Sequence, residues 1–273
     1  MPQVKTEKPT VSSSKMDTMM RCQMQYYFRY IEGLLKPPGV ALILGTATHT
    51  SIEANLVAKM DGTPITREEA IDIAADALRN EWLGQAPKLD DFEKSLGKRV
   101  VQGRAIDMAG ALAALHHGDV APKITPISIE RAFVLELDGY PLDIRGRIDI
   151  EEERTIGDTK TKGGKGPGEE DAHQSLQLTT YALAKRTFDG GRMPDGLYLD
   201  FLVKTKVPYE TRLETTRCEA DFDSLLEQVV RHAAVLESGS FYPTHPSNWI
   251  CSQRFCGYWQ DDCPFGRRRR VQI

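Results

Sequence analysis

The segment 142–161 leaves a chain of this kind few ways to fold. In LDIRGRIDI (142–150), Ile144, Ile148 and Ile150 fall on one side of an extended strand, and Asp143, Arg145, Arg147 and Asp149 on the other. After a short turn at 151–154, RTIGDTKT (154–161) alternates again, with Asp158 and Lys160 two residues apart and therefore on one face. A tight hairpin of these two strands brings Asp149 close to Asp158 and Lys160. A strand with one apolar face needs neighbours and a layer to bury it. The same alternation at 126–137 (PISIERAFVLEL) and 197–205 (LYLDFLVKT), with an edge strand at 208–216, supplies the rest of a small sheet.

Helical periodicity fills most of the remainder. Met16, Met20, Tyr27 and Ile31 recur at helical spacing from 14 to 35, and Lys36-Pro37-Pro38-Gly39 stops the run. Further helices are predicted from near Leu44 to about Met60, at 66–84 and at 91–117. One more interrupts the strands at 169–188, and another at 219–238 precedes an irregular tail rich in cysteine and aromatic residues. Residues 1–15 read as a polar, flexible lead. The layout is an α/β (α+β) core, a mixed sheet flanked by helices, in a single domain over 1–273. Its parts are a helical lobe at 14–120, a sheet core at 121–216, and a helix plus tail at 217–273.

Composition narrows the setting. The chain is 40% hydrophobic and 27% charged, with a net charge of −4, and no run approaches the length of a membrane span. MPQVKTEKPTVSSSK lacks the apolar centre of a signal peptide, so a cytoplasmic location is expected. A mild acidic surplus argues weakly against a nucleic-acid partner. Local basic patches at Lys160–Lys165 and Arg267–Arg270 count the other way. Tyr26-Tyr27-Phe28 suits core packing better than base stacking.

Two carboxylates and a lysine meeting at strand ends have a clear chemistry. Asp149 and Asp158 are hard oxygen ligands for Mg²⁺ or Mn²⁺, and Lys160 can stabilise charge on a phosphate or orient a water. Taken alone, an Asp-x-Lys is more often a surface ion pair. Three further features accompany it. Gln177 and Tyr181, in QSLQLTTYALA, are one helical turn apart, as are His49 and Glu53 in LGTATHTSIE. Gly45, one turn before His49, permits close approach of another backbone.

In this order, His49 with Glu53, Asp149 in GRIDI, Asp158-Thr159-Lys160 in GDTKT, and Gln177 with Tyr181 resemble the motifs of the PD-(D/E)XK nuclease superfamily, RecB-like branch. Ile148 stands where that pattern has proline. The resemblance implies a restriction-endonuclease-like core and hydrolysis of DNA phosphodiesters, with exonuclease action in recombination, repair or phage DNA processing. His49, Asp149, Asp158 and the Thr159 carbonyl would then hold the metal. Lys160 would serve the water or transition state, Gln177 and Tyr181 would position strand or lysine, and Glu53 would support the histidine. Arg147, Lys162 and Lys165 are candidate phosphate contacts. Two other readings are a non-catalytic DNA-binding accessory protein, which has no use for the carboxylate–lysine set, and a standalone zinc-stapled interaction protein.

Cys22 lies near one end, and Cys251, Cys256 and Cys263 form C-x4-C-x6-C near the other. Four thiolates suit either Zn²⁺ or a [4Fe–4S] cluster, although structural zinc usually takes closely spaced cysteine pairs. One early and three late cysteines resemble the cluster-bearing nucleases of the AddB type and of CRISPR adaptation, which implies a [4Fe–4S] staple. Those relatives use a tighter C-x2-C-x5-C trio, whereas the wider spacing here is similar to that of phage and prophage RecB-like proteins. Cys218 belongs to neither group.

Overall fold

A computed structural model describes residues 8–253, 255–259 and 261–267. In chain order the elements are β1 (Thr10–Val11), α1 (Ser13–Arg21), α2 (Gln23–Tyr26), α3 (Val40–Met60), α4 (Arg67–Gln85), α5 (Asp91–Leu96), α6 (Lys98–Leu115), β2 (Ser128–Leu135), β3 (Asp143–Glu151), β4 (Thr155–Gly163), α7 (Leu176–Phe188), β5 (Gly196–Lys204), β6 (Tyr209–Thr215), α8 (Glu219–Ser238) and α9 (Pro264–Arg267). The sheet is six-stranded and mixed, in the order β1-β3-β4-β5-β6, with β2 also paired to β3. This is the α/β class expected. Arg268–Arg270, most of the basic run, lie outside the described residues.

The chain divides into two compact units. One comprises 37–132 and 147–217; the other comprises 1–36, 133–146 and 218–273. The first unit contains β4 at the middle of its strands, antiparallel to β3 and parallel to β5, with β6 antiparallel beyond. Every residue of β5 from Leu197 to Val203 is buried, as expected of a strand covered on both faces. Its helices α3, α4 and α6 share one apolar core built on Ile43, Leu56, Leu78, Trp82 and Leu112, which Ile150 and Leu202 of the sheet join. Two capping boxes fix helix starts: Thr66 with Glu69 for α4, and Asp90 with Glu93 for α5.

The second unit carries the chain ends. β1 runs parallel to the start of β3, Thr10 opposite Asp143, and Lys8 pairs with Asp143 at 2.7 Å. Ser12 caps α1 through the Lys15 amide. Tyr26 and His232 meet edge to face, and the tyrosine hydroxyl lies 3.2 Å from the imidazole Nε2. Phe28 and Tyr258 form a smaller core with Cys263.

Four sequence expectations need correction. The helix expected at 14–35 breaks at Cys22, whose extended backbone (φ −165°, ψ 111°) separates α1 from α2; a wide turn at Tyr27–Ile31 follows. The helix expected at 91–117 is two, because Gly97 at φ +84° cannot sit inside one. α7 begins at Leu176 rather than near 169, where Ser175 caps the Leu178 amide. Part of the polar lead is strand β1. Gly157 marks the tightest approach in the sheet, since a Cβ there would lie 2.1 Å from the Tyr198 ring. Replacing it with alanine forces the ring aside, and Gly157→Ala is expected to cost about 1–3 kcal/mol of stability in chemical denaturation.

Candidate active site

The residues singled out in the core all belong to the first unit, and its elements gather them. On α3, His49 and Glu53 face the sheet end of one cavity, lined also by Glu130 of β2, Asp149 of β3 and Thr159 of β4, over a floor of Ile52, Leu56, Ile129 and Ile150. Close approach of α3 to β4 depends on Gly45, where a Cβ would stand 3.2 Å from Thr161 Oγ1. The β3–β4 register pairs Ile150 with Gly157, so the next pair outward sets Asp149 against Asp158.

A single chain of hydrogen bonds joins four of these side chains. Lys160 Nζ donates to Gln177 Oε1 at 2.7 Å, and Gln177 Nε2 donates to the Tyr181 hydroxyl at 2.5 Å. That hydroxyl donates to Asp149 Oδ1 at 2.8 Å. The one-turn spacing of Gln177 and Tyr181 on α7 lets both reach the strands. Lys160 Nζ also lies 2.5 Å from Asp158 Oδ2.

Asp158 is 0% exposed, and neither carboxylate oxygen accepts a hydrogen bond of sound geometry. Burial pushes its pKa well above the usual carboxylate range; the Lys160 charge opposes this and the Asp149 charge adds to it. Burial pulls the His49 imidazole below its ordinary value, partly offset by the Asp149 charge, so the ring is neutral and keeps a lone pair. The Tyr181 phenol is held far above its usual range by burial and by Asp149 and Asp158, and it stays a donor. A poorly solvated carboxylate, a second carboxylate beside it and a neutral imidazole are a suitable donor set for a divalent cation. Among the described residues no three His, Cys, Asp or Glu side chains stand close enough together to hold a metal ion. Lys160 against Asp158, and Tyr181 on Asp149, engage these carboxylates in the structure as it stands.

The candidate phosphate contacts are more scattered. Arg147 is exposed and pairs with Glu130 at 3.5 Å. Lys162 pairs closely with Asp171, and Lys165 is exposed in the turn after β4.

Four cysteines of the second unit, Cys22, Cys251, Cys256 and Cys263, line one cavity with Phe28, Ile250, Tyr258 and Trp259. Burial, together with the three other cysteines, pushes the Cys256 thiol up to about 11. Cys22 Sγ accepts the Thr244 amide at 3.4 Å. Cys218 is exposed and stands apart from this lining.

The sequence reading missed Glu130. Its φ of +53° is a left-handed conformation inside a strand, which glycine adopts readily and glutamate does not. Burial, with Asp149 and Glu53 nearby, raises its pKa to about 7, against the pull of Arg147. Only the alternation at 126–137 was legible there, and it does not mark Glu130.

Residues 10–265 match the family model of the PD-(D/E)XK nuclease superfamily, and the chain belongs to that superfamily. The Gene 69 protein of Mycobacterium phage D29 is 29% identical over 223 residues, which is 75% of this chain and 79% of that protein. The structure of a Eubacterium rectale protein regarded as an exonuclease superposes with a TM-score of 0.55 at 12% identity. It covers 97% of this chain and 90% of that one, and the likeness is one of fold.

The raised pKa of Glu130 has a consequence for stability. A carboxyl with a folded pKa near 7 and an ordinary value of 4.5 binds its proton more tightly when folded, so stability falls as pH rises through that window. Thermal melts of metal-free Glu130→Gln should therefore match wild type at pH 4 and exceed it at pH 8.

Proposed function

We propose that this chain is a divalent-metal-dependent deoxyribonuclease acting as an exonuclease on single strands or duplex ends of DNA. The observation that carries this reading is the hydrogen-bonded run from Lys160 through Gln177 and Tyr181 to Asp149 beside the buried Asp158. His49, Asp149, Asp158 and the Thr159 carbonyl would hold Mg²⁺ or Mn²⁺, which when bound neutralises phosphate charge and lowers the pKa of water. The His49 ring is neutral and so able to ligate. Glu53 and Glu130 bring further negative charge to the same cavity.

Lys160 is the mobile charge in this scheme. Its ammonium, which lies on Asp158 and is held by Gln177, would serve the attacking water or a non-bridging phosphate oxygen. Tyr181 remains protonated, and its donation to Asp149 fixes which oxygen that carboxylate presents to the cavity. Arg147, Lys162 and Lys165 supply contacts to the strand. The exonuclease assignment draws on the Eubacterium rectale neighbour, and the phage setting on a relative that is a phage protein.

The cysteine cavity is assigned a [4Fe–4S] cluster, with Zn²⁺ as the competitor. The reading is supported by four thiols lining one cavity, one from an early position and three from the tail. Structural zinc usually takes closely spaced cysteine pairs, which a C-x4-C-x6-C trio with a distant Cys22 does not supply.

The test is hydrolysis of end-labelled single- and double-stranded DNA with Mg²⁺ or Mn²⁺. Lys160→Ala should lose at least about a hundredfold in rate, while a folded wild type that leaves every DNA intact would overturn the reading. Anaerobically purified protein should be brown, and Cys256→Ser should bleach it. Colourless protein carrying stoichiometric zinc would decide for Zn²⁺.

A further inference from the structure

The active-site helix α7 makes a second polar contact with β3 that the chemistry above does not use. Lys185 Nζ lies 3.1 Å from Glu151 Oε1 and 3.1 Å from Asp189 Oδ2. The Lys185 and Glu151 side chains are 3% and 2% exposed. Arg131 closes the other side of Glu151, its Nη1 reaching Oε1 at 3.1 Å and Oε2 at 3.0 Å. A buried ion pair is weak evidence for stability, because desolvation offsets most of its attraction, and such pairs are best explained by what they specify.

The spacing shows what this one specifies. Lys185 is one helical turn beyond Tyr181, and Glu151 is two strand residues beyond Asp149. Four helical residues advance about 6 Å, and two strand residues about 6.6 Å. Helix and strand therefore stay in step over both contacts, Tyr181 on Asp149 and Lys185 on Glu151. Beside Gln177 on Lys160 of β4, two contacts in step along β3 resist sliding of the helix along the strand and tilting away from it. We propose that Lys185 is a positioning residue: through Glu151 it sets the register of α7 on β3, and so places the Tyr181 hydroxyl on Asp149. This rests on the nuclease reading of the site.

Coupling distinguishes this role from a merely structural one. With full-length protein, kcat and KM on DNA are measured for Lys185→Met, Lys185→Arg, Tyr181→Phe and the Lys185→Met/Tyr181→Phe pair. Lys185→Met should lower kcat about tenfold with KM little changed, as loss of an orienting partner does, and Lys185→Arg should recover most of it. In the Tyr181→Phe background, adding Lys185→Met should change kcat less than about twofold, because the contact it orients is already gone. Independent, multiplying losses would overturn the proposal, as would a wild-type kcat in Lys185→Met. Melting temperatures accompany each variant; if Lys185→Met fails to fold, Glu151→Gln replaces it with the same expectation. Loss of cleavage in Lys160→Ala alongside a wild-type Lys185→Met rejects this inference alone. Cleavage surviving in Lys160→Ala rejects the site reading, and this inference with it.

Discussion

The site is organised around a carboxylate removed from water. Asp158 sits on the middle strand of its unit with no exposure and no well-formed hydrogen bond to its oxygens. A charge in that position is costly unless another charge compensates it. Lys160 does so from two residues along the same strand, and the rest of the site follows from holding that lysine. Gln177 engages its ammonium, Tyr181 engages Gln177, and Asp149 receives Tyr181. The apolar walls from α3 and β3 keep solvent from doing the same work.

Much of this was legible because strand alternation is a strong signal. Ile144, Ile148 and Ile150 announced a buried face, and the two-residue step from Asp158 to Lys160 announced a shared one. The resemblance to nuclease motifs then pointed to His49, Gln177 and Tyr181, and the fold places all three with the carboxylates. What escaped was set by backbone conformation or by distant partners. Glu130 turns left-handed in mid-strand, and no alternation pattern encodes that. Gly97 splits a helix whose side-chain periodicity runs on without a break. β1 is two residues long and exists only because β3 offers it a partner. Lys185 reads as an ordinary basic residue near a helix C-terminus, a place where lysine is common for electrostatic reasons. Its burial against Glu151 depends on a strand 34 positions away in sequence.

The cysteines show the reverse case. Their spacing in the chain carried the inference, and the fold supplies the convergence: one from the break between α1 and α2, three from the tail. Cys22, at the extended break between α1 and α2, lines the same cavity as the other three.

Gly157 and Tyr198 illustrate how far a constraint on chemistry can spread. The glycine immediately precedes Asp158, and the tyrosine lies across it on β5, where it also donates to Glu152 and stacks under Arg212. Arg212 in turn clasps the buried Asp200 with two hydrogen bonds of 2.7 Å. The missing side chain at 157 is thus filled by a ring that belongs to a separate polar network. Drift at these positions cannot be independent: a lineage that gains a side chain at 157 must first shed the ring at 198, and with it the cover over Arg212. Substitution should proceed there as a block or not at all, tying a stretch of the far sheet edge, with no part in the reaction, to the evolutionary tempo of the active-site strand.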